Sequence, residues 1–155
     1  MGVFRVERET PAGVAEAWRR VTDWRAHARL MPLTRVTAAT AGETREGSRF
    51  TARTGVGRFG FDDPMEVVRW EPPEPGRAVG RCRLEKRGRV VTGWAEIAVR
   101  ETAAGGTRVT WTEDVRLRGL PRAGDALLAR AGRLVFGRAL TGLLRGRTGS
   151  GGAAG

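Results

Sequence analysis

Glu113 is the residue of this chain best placed to hold or move a proton. Residues 107–118 alternate in character, so Val109, Trp111, Glu113, Val115 and Leu117 share one face, and Thr110, Thr112, Asp114, Arg116 and Arg118 the other. The first face is apolar but for Glu113, and an inward carboxylate is costly unless it is paired or protonated. Either Glu113 pairs with an arginine or with His27 at a cavity mouth, or it orients a ligand or acts as a general acid or base. His27, the only histidine, falls on a short helix that would rim such a cavity; it is either an ordinary surface histidine or a second proton carrier. With no second histidine, no tyrosine and Cys82 as the sole cysteine, neither a metal site nor a Cys–His nucleophile pair can be assembled, and no cofactor is expected. Gly55, Gly57 and Gly60 have the spacing G-x-G-x-x-G, but they fall between two strands instead of ahead of a helix, where a phosphate would need them.

A strand of this kind needs neighbours to hold it. Residues 3–9 alternate and lead into Thr10-Pro11, read as a helix N-cap and first helical position. Val14, Ala17, Trp18 and Val21 then make one apolar helical stripe. Asp23 caps a second short helix over residues 24–30, stopped by Met31-Pro32, and residues 33–40 read as a strand. From Gly47 onward the period is two: residues 48–56, 59–70, 77–86, 89–101 and 107–118 are strands joined by short connections, an antiparallel meander. Asp62-Asp63-Pro64 predicts a bulge or an edge position.

Residues 120–145 continue as one helix of about seven turns. Leu128, Ala131, Gly132, Val135, Phe136, Ala139, Gly142 and Leu143 gather on a broad apolar face, with Arg122, Arg130, Arg133, Arg138 and Arg145 mostly opposite. A long helix after a run of strands must lay that face on the sheet, and a sheet curving round it encloses a cavity. Gly132 and Gly142, each costing ~1 kcal/mol against alanine in a helix interior, either make room for a ligand or let helix and sheet approach closely. Phe50, Ala52, Thr54 and Val56 form an inward set, as do Phe59 with Phe61 and Cys82 with Leu84. Val91, Gly93, Ala95, Ile97 and Val99 share an inward face that begins with small residues. The expected ligand-binding positions are Trp24, His27, Phe50, Phe59, Phe61, Cys82, Trp111, Glu113, Leu128, Val135 and Phe136; the aromatic residues and Cys82 are equally readable as plain core.

The chain has 155 residues, an apolar fraction of 40% and a charged fraction of 29%, the make-up of one globular domain. It is expected to span residues 1–146, with residues 147–155, rich in Gly, Ala and Ser, as a flexible tail. No apolar run is long enough to cross a bilayer, the N-terminus has no signal-like apolar stretch and the lone Cys82 suits a reducing compartment, so a cytoplasmic location is expected; the expected state is a monomer or homodimer. The net charge of +11 invites a nucleic-acid reading. Lys86 is the only lysine, however, and Asn, Gln and Tyr are missing, which marks a G/C-rich codon bias toward Arg. Scattered arginines then read as a solvated face with no specific nucleic-acid partner. From Arg116 onward eight arginines face one carboxylate, Asp125, which keeps open a contact with an anionic surface.

The order of elements and several local segments resemble the START-related superfamily (SRPBCC) of polyketide cyclases/dehydrases and lipid-transfer proteins. The resemblance is carried by Thr10-Pro11-Ala12 with Trp18, by Trp24, by Gly47-Ser48-Arg49-Phe50, by Val67-Val68-Arg69-Trp70-Glu71-Pro72-Pro73 and by Gly106-Thr107-Arg108-Val109-Thr110-Trp111-Thr112. It implies an α+β helix-grip fold: a curved seven-stranded antiparallel sheet around a long C-terminal helix, with two short helices after the first strand. It also implies a ligand cavity, but it brings no shared catalytic motif. The expected function is an intracellular carrier of a hydrophobic small molecule of the lipid, polyketide or isoprenoid class. The alternatives are an aromatic polyketide cyclase/dehydratase, with Glu113 or His27 moving protons, and a membrane- or nucleic-acid-binding module acting through the basic C-terminal helix.

Overall fold

The computed structural model describes residues 2–38 and 40–145. The strands are β1 (Val3–Thr10), β2 (Thr34–Ala38), β3 (Arg49–Val56), β4 (Phe59–Glu71), β5 (Val79–Arg87), β6 (Val91–Glu101) and β7 (Thr107–Leu117). The helices are α1 (Val14–Val21), α2 (Trp24–Leu30) and α3 (Arg122–Leu144). All seven strands form one antiparallel sheet in the order β1-β7-β6-β5-β4-β3-β2. The meander from β2 to β7 follows from its short connections, and β1 closes the far edge by pairing with β7, Val6 opposite Trp111. The result is the α+β helix-grip architecture, with α3 packed across β1 and touching α1, α2 and β7.

The two ends of α3 are used differently. Its buried residues, Gly137, Ala139, Leu140, Leu143 and Leu144, all lie in the C-terminal half. There they complete a solid core with Val6, Trp18, Val21, Ile97, Val99 and Val109. Nearer its N-terminal end α3 meets the sheet closely only along β1, at Phe4 beside Gly132, and Leu128, Val135 and Phe136 are only partly covered. One end of the sheet is therefore filled by its own side chains and the other is left hollow. Arg122, Arg130, Arg133, Arg138 and Arg145 are exposed, and Arg133, Arg138 and Arg145 share an open groove with Arg5, Val6, Glu7 and Arg8 of β1.

Several local expectations are corrected. The first helix starts at Val14 with Gly13 as its N-cap, not at Pro11. Thr10 is still in β1, opposite Thr107, and its hydroxyl accepts a hydrogen bond from the Ala12 amide across the turn. Ladder pairing there outcompetes the local capping signal. Asp23 does cap α2, accepting from Ala26 N at 2.9 Å. The irregularity in β4 falls between Val67 and Arg69, where its register with β5 shifts. Pro64 instead sits opposite Thr51 of β3 and just beyond the first β4–β5 pair, Met65 with Lys86, so the proline is tolerated on a locally free edge. The tail expected over residues 147–155 lies outside the described residues.

The glycines of α3 serve close packing. A Cβ on Gly132 would lie 2.5 Å from the Phe4 ring, and one on Gly142 would lie 3.1 Å from Leu30. Gly93, one of the small residues of the inward face of β6, has φ +126°, and a Cβ there would lie 1.9 Å from the Asp114 carbonyl oxygen. Backbone proximity, not cavity volume, requires that glycine.

Candidate functional site

The hollow end holds a cavity of about 410 Å³ between the N-terminal half of α3, helix α2 and strands β2 to β7. Phe50, Ala52 and Thr54 of β3, Phe61 and Met65 of β4, Leu84 of β5 and Ala95 of β6 form the sheet wall. Leu128, Ala131, Gly132, Val135 and Phe136 form the helix wall, while Met31 and Pro32 stand at the α2 side. Rings run along one flank: Trp24 stacks on Phe50 at 5.0 Å, His27 lies 5.0 Å from Trp111, and Trp111 stacks on Phe136 at 5.1 Å. Of the lining residues only Glu113, Lys86, Asp63, His27, Thr34 and Thr54 are polar.

The alternation of β7 turns Glu113 inward as expected, and it is 1% exposed. Its partner, however, is neither an arginine nor His27. Lys86 Nζ lies 3.1 Å from Glu113 Oε1 and donates to Asp63 Oδ2 at 2.5 Å, while the Trp111 indole donates to Glu113 Oε2 at 2.9 Å. Lys86 Nζ also reaches Met65 Sδ at 3.9 Å. The backbone brings these groups together because β7 and β5 flank β6: Ala95 pairs with both Glu113 and Leu84, and Met65 of β4 pairs with Lys86. Burial alone would lower the Lys86 ammonium, but the carboxylates of Glu113 and Asp63 outweigh it and hold the lysine above its ordinary value. Burial raises Asp63, with Lys86 opposing. Two carboxylates share one ammonium, and Asp63 Oδ1 is buried without a hydrogen-bond partner among the described residues.

His27 lines the cavity but is committed structurally. Its Nε2 donates to the Val21 carbonyl at 2.6 Å, and burial pushes its pKa down to about 4, so the ring is neutral near pH 7. It shares no ion pair with Glu113; the role expected for it there belongs to Lys86.

Of the eleven expected positions, nine line the cavity: Trp24, His27, Phe50, Phe61, Trp111, Glu113, Leu128, Val135 and Phe136. Phe59 and Cys82 do not. Phe59 is 77% exposed at the tip of the β3–β4 hairpin, beyond the reach of α3, with Arg58 over its ring. Cys82 is inward-facing but buried in the solid core, where desolvation pushes its thiol up to about 12. Lys86 and Asp63 line the cavity beside Glu113 without having been among the expected positions. The signal for both was the two-residue period, which carries Cys82 and Leu84 on to Lys86 and Phe61 on to Asp63.

A family model described as polyketide cyclase / dehydrase and lipid transport matches residues 1–145. A comparison with curated proteins gives no match. Among solved structures the chain is similar to a START superfamily protein from Mycobacterium smegmatis (TM-score 0.71, 14% identity, covering 92% of this chain and 97% of that one). It is also similar to the Zhui aromatase/cyclase from Streptomyces sp. R1128 (TM-score 0.61, 17% identity, 98% and 99% covered). A protein from Thermus thermophilus aligns at TM-score 0.63 with 17% identity over 92% of this chain and 93% of that one. At these identities the solved structures speak for the fold alone.

Proposed function

This chain belongs to the family of polyketide cyclases/dehydrases and lipid-transport proteins, and we propose that it binds a hydrophobic small molecule of the lipid, polyketide or isoprenoid class between α3 and the sheet. The observation that carries this reading is the cavity itself. Its volume of about 410 Å³ falls in the range of ordinary small-molecule sites, roughly 300–1,000 Å³. Its walls are apolar except for one buried charge cluster, His27 and two threonines. A hollow lined this way gains free energy when an apolar molecule displaces poorly bonded water. No helix among the described residues is long and apolar enough to cross a membrane, which fits binding within the domain. The test is native mass spectrometry of the gently purified protein, followed by organic extraction. A bound apolar molecule, lost when Val135→Trp fills the cavity, is expected. A protein that carries nothing, and takes up no long-chain or polycyclic probe, would refute the reading.

A second reading, an aromatic polyketide cyclase/dehydratase, is favoured by the Glu113–Lys86–Asp63 cluster in the cavity wall. Cyclisation of a poly-β-ketone needs a fold that positions the chain and a base that removes an acidic proton. The Glu113 carboxylate would be that base; Lys86 holds its own proton too firmly to be a ready acid near neutral pH. Glu113→Gln keeps the shape and removes the charge. A cyclisation rate unchanged by that substitution would exclude Glu113 from proton transfer.

A further inference from the structure

The hydrogen-bond inventory of the buried cluster narrows the chemistry that the cavity can accept. An ammonium has three protons, and those of Lys86 are met by Asp63 Oδ2, Glu113 Oε1 and the Met65 sulfur. The Trp111 indole proton is taken by Glu113 Oε2. No donor in the cluster is left over. What is left over is an acceptor, Asp63 Oδ1, on a residue 8% exposed that lines the cavity. A buried carboxylate oxygen with no donor is costly, and such groups call for a functional account. The cluster as a whole is one negative charge in excess.

We infer that the cavity is built for an apolar ligand bearing a hydroxyl group, which donates its hydrogen bond to the Asp63 carboxylate, and against a ligand bearing a carboxylate. This rests on the binding function proposed above and specifies the polar end of its ligand. A hydroxyl has one proton for the one unmatched oxygen, whereas a ligand ammonium would bring three protons to the same place and leave two unmet. A ligand carboxylate would add a second uncompensated negative charge beside the cluster and find no free proton there. Oδ1 is buried in the cavity wall, and because the aspartate's last torsion is soft, a small turn of the carboxylate, which shifts both oxygens and is followed by the flexible Lys86 side chain, presents Oδ1 to a ligand hydroxyl.

Equilibrium dialysis with 2-naphthol, 2-methylnaphthalene and 2-naphthoate at pH 7 separates the possibilities, because the three probes share a ring system and differ in one group. An unselective apolar hollow would take the methyl compound most tightly. The expected result is that 2-naphthol binds about ten-fold tighter than 2-methylnaphthalene, the worth of a hydrogen bond to a charged group, with 2-naphthoate weakest. Asp63→Leu should reverse the first preference. Asp63→Asn, closer in shape, keeps its oxygen toward Lys86 and turns its NH₂ to the free position, so it should shift the order toward 2-naphthoate. If 2-methylnaphthalene or 2-naphthoate leads in the wild-type protein, the hydroxyl assignment is overturned while cavity binding stands. A naphthol preference that survives both substitutions would overturn Asp63 as the acceptor. If none of the three binds, the binding function and this inference fall together.

Discussion

Removing the Lys86 ammonium tests the central electrostatic claim directly. In Lys86→Met the apolar stem is replaced and the terminal ammonium is lost, which leaves the two carboxylates that share it without a cation. The side chains concerned are 6% exposed for Lys86, 2% for Glu113 and 11% for Asp63, so solvent can do little to relieve them. Breaking a buried pair by deleting one partner costs about 3–5 kcal/mol, a large part of the ~5–15 kcal/mol by which domains are stable. Urea unfolding followed by circular dichroism should show a loss of that size at pH 7.5. The loss should also depend on pH in a definite sense. Burial already raises Asp63 in the wild-type protein despite Lys86, and without the lysine it rises further. A carboxyl whose folded pKa is raised contributes stability that is fully present below its unfolded value, about 4, and is lost as pH rises through the folded value. The penalty of Lys86→Met should therefore shrink as pH falls from 7.5 toward 4.5. A loss under ~1 kcal/mol, the size expected of an exposed pair, or a loss independent of pH would show that the cluster is solvated and that the reasoning is wrong.

His27 is held near pKa 4 against an ordinary 6.5. Its neutral form is the folded one, so its contribution is present above 6.5 and is lost as pH falls toward 4, about 3 kcal/mol in full. His27→Gln should flatten the stability profile in that window, and an unchanged slope would rule out His27 as its source. Gly132→Ala should lower the melting temperature by an amount equivalent to ~1–3 kcal/mol of overpacking, because the new methyl group meets the Phe4 ring at 2.5 Å; a stabilised variant would mean that α3 shifts freely. The exposed arginines of α3 should bind duplex DNA and anionic vesicles only at ~10⁻⁴–10⁻⁶ M near physiological salt, and more weakly as salt rises. Sub-micromolar binding in a titration would promote that surface over the cavity.

The order of elements was legible because its signals are local and mutually consistent. Asp23 ahead of Trp24, Met31-Pro32 after α2 and the two-residue period from Gly47 each have one structural meaning. Glu113 was legible too, since a single charge on an apolar strand face stands out. Its partner was not. Lys86 ends a strand and Asp63 precedes a proline, positions at which charge reads as solvent-facing. The two-residue period points both inward, but it takes the sheet register to show that the period is unbroken there: Pro64 pairs in line with Thr51, so no residue is inserted to flip Asp63 outward. Phe59 failed for the complementary reason. Its alternation is correct, but the hairpin outruns the helix that would have covered it, and the period of a strand carries no information about where its neighbour stops.

The row of rings along the cavity wall also gives the protein an internal optical gauge. Five tryptophans are present, but only Trp24 and Trp111 border the hollow. Trp18 and Trp70 pack on each other at 4.9 Å, and Trp94 lies under the Arg83 guanidinium at 4.3 Å. Indole emission responds to the polarity and charge of its immediate surroundings, and Trp111 touches both the Glu113 carboxylate and the open volume. A molecule entering the cavity would change the light from two of the five and leave three as a built-in reference, so occupancy can be followed without a label. Trp24→Phe and Trp111→Phe, made singly, would then report which end of the hollow a guest reaches first.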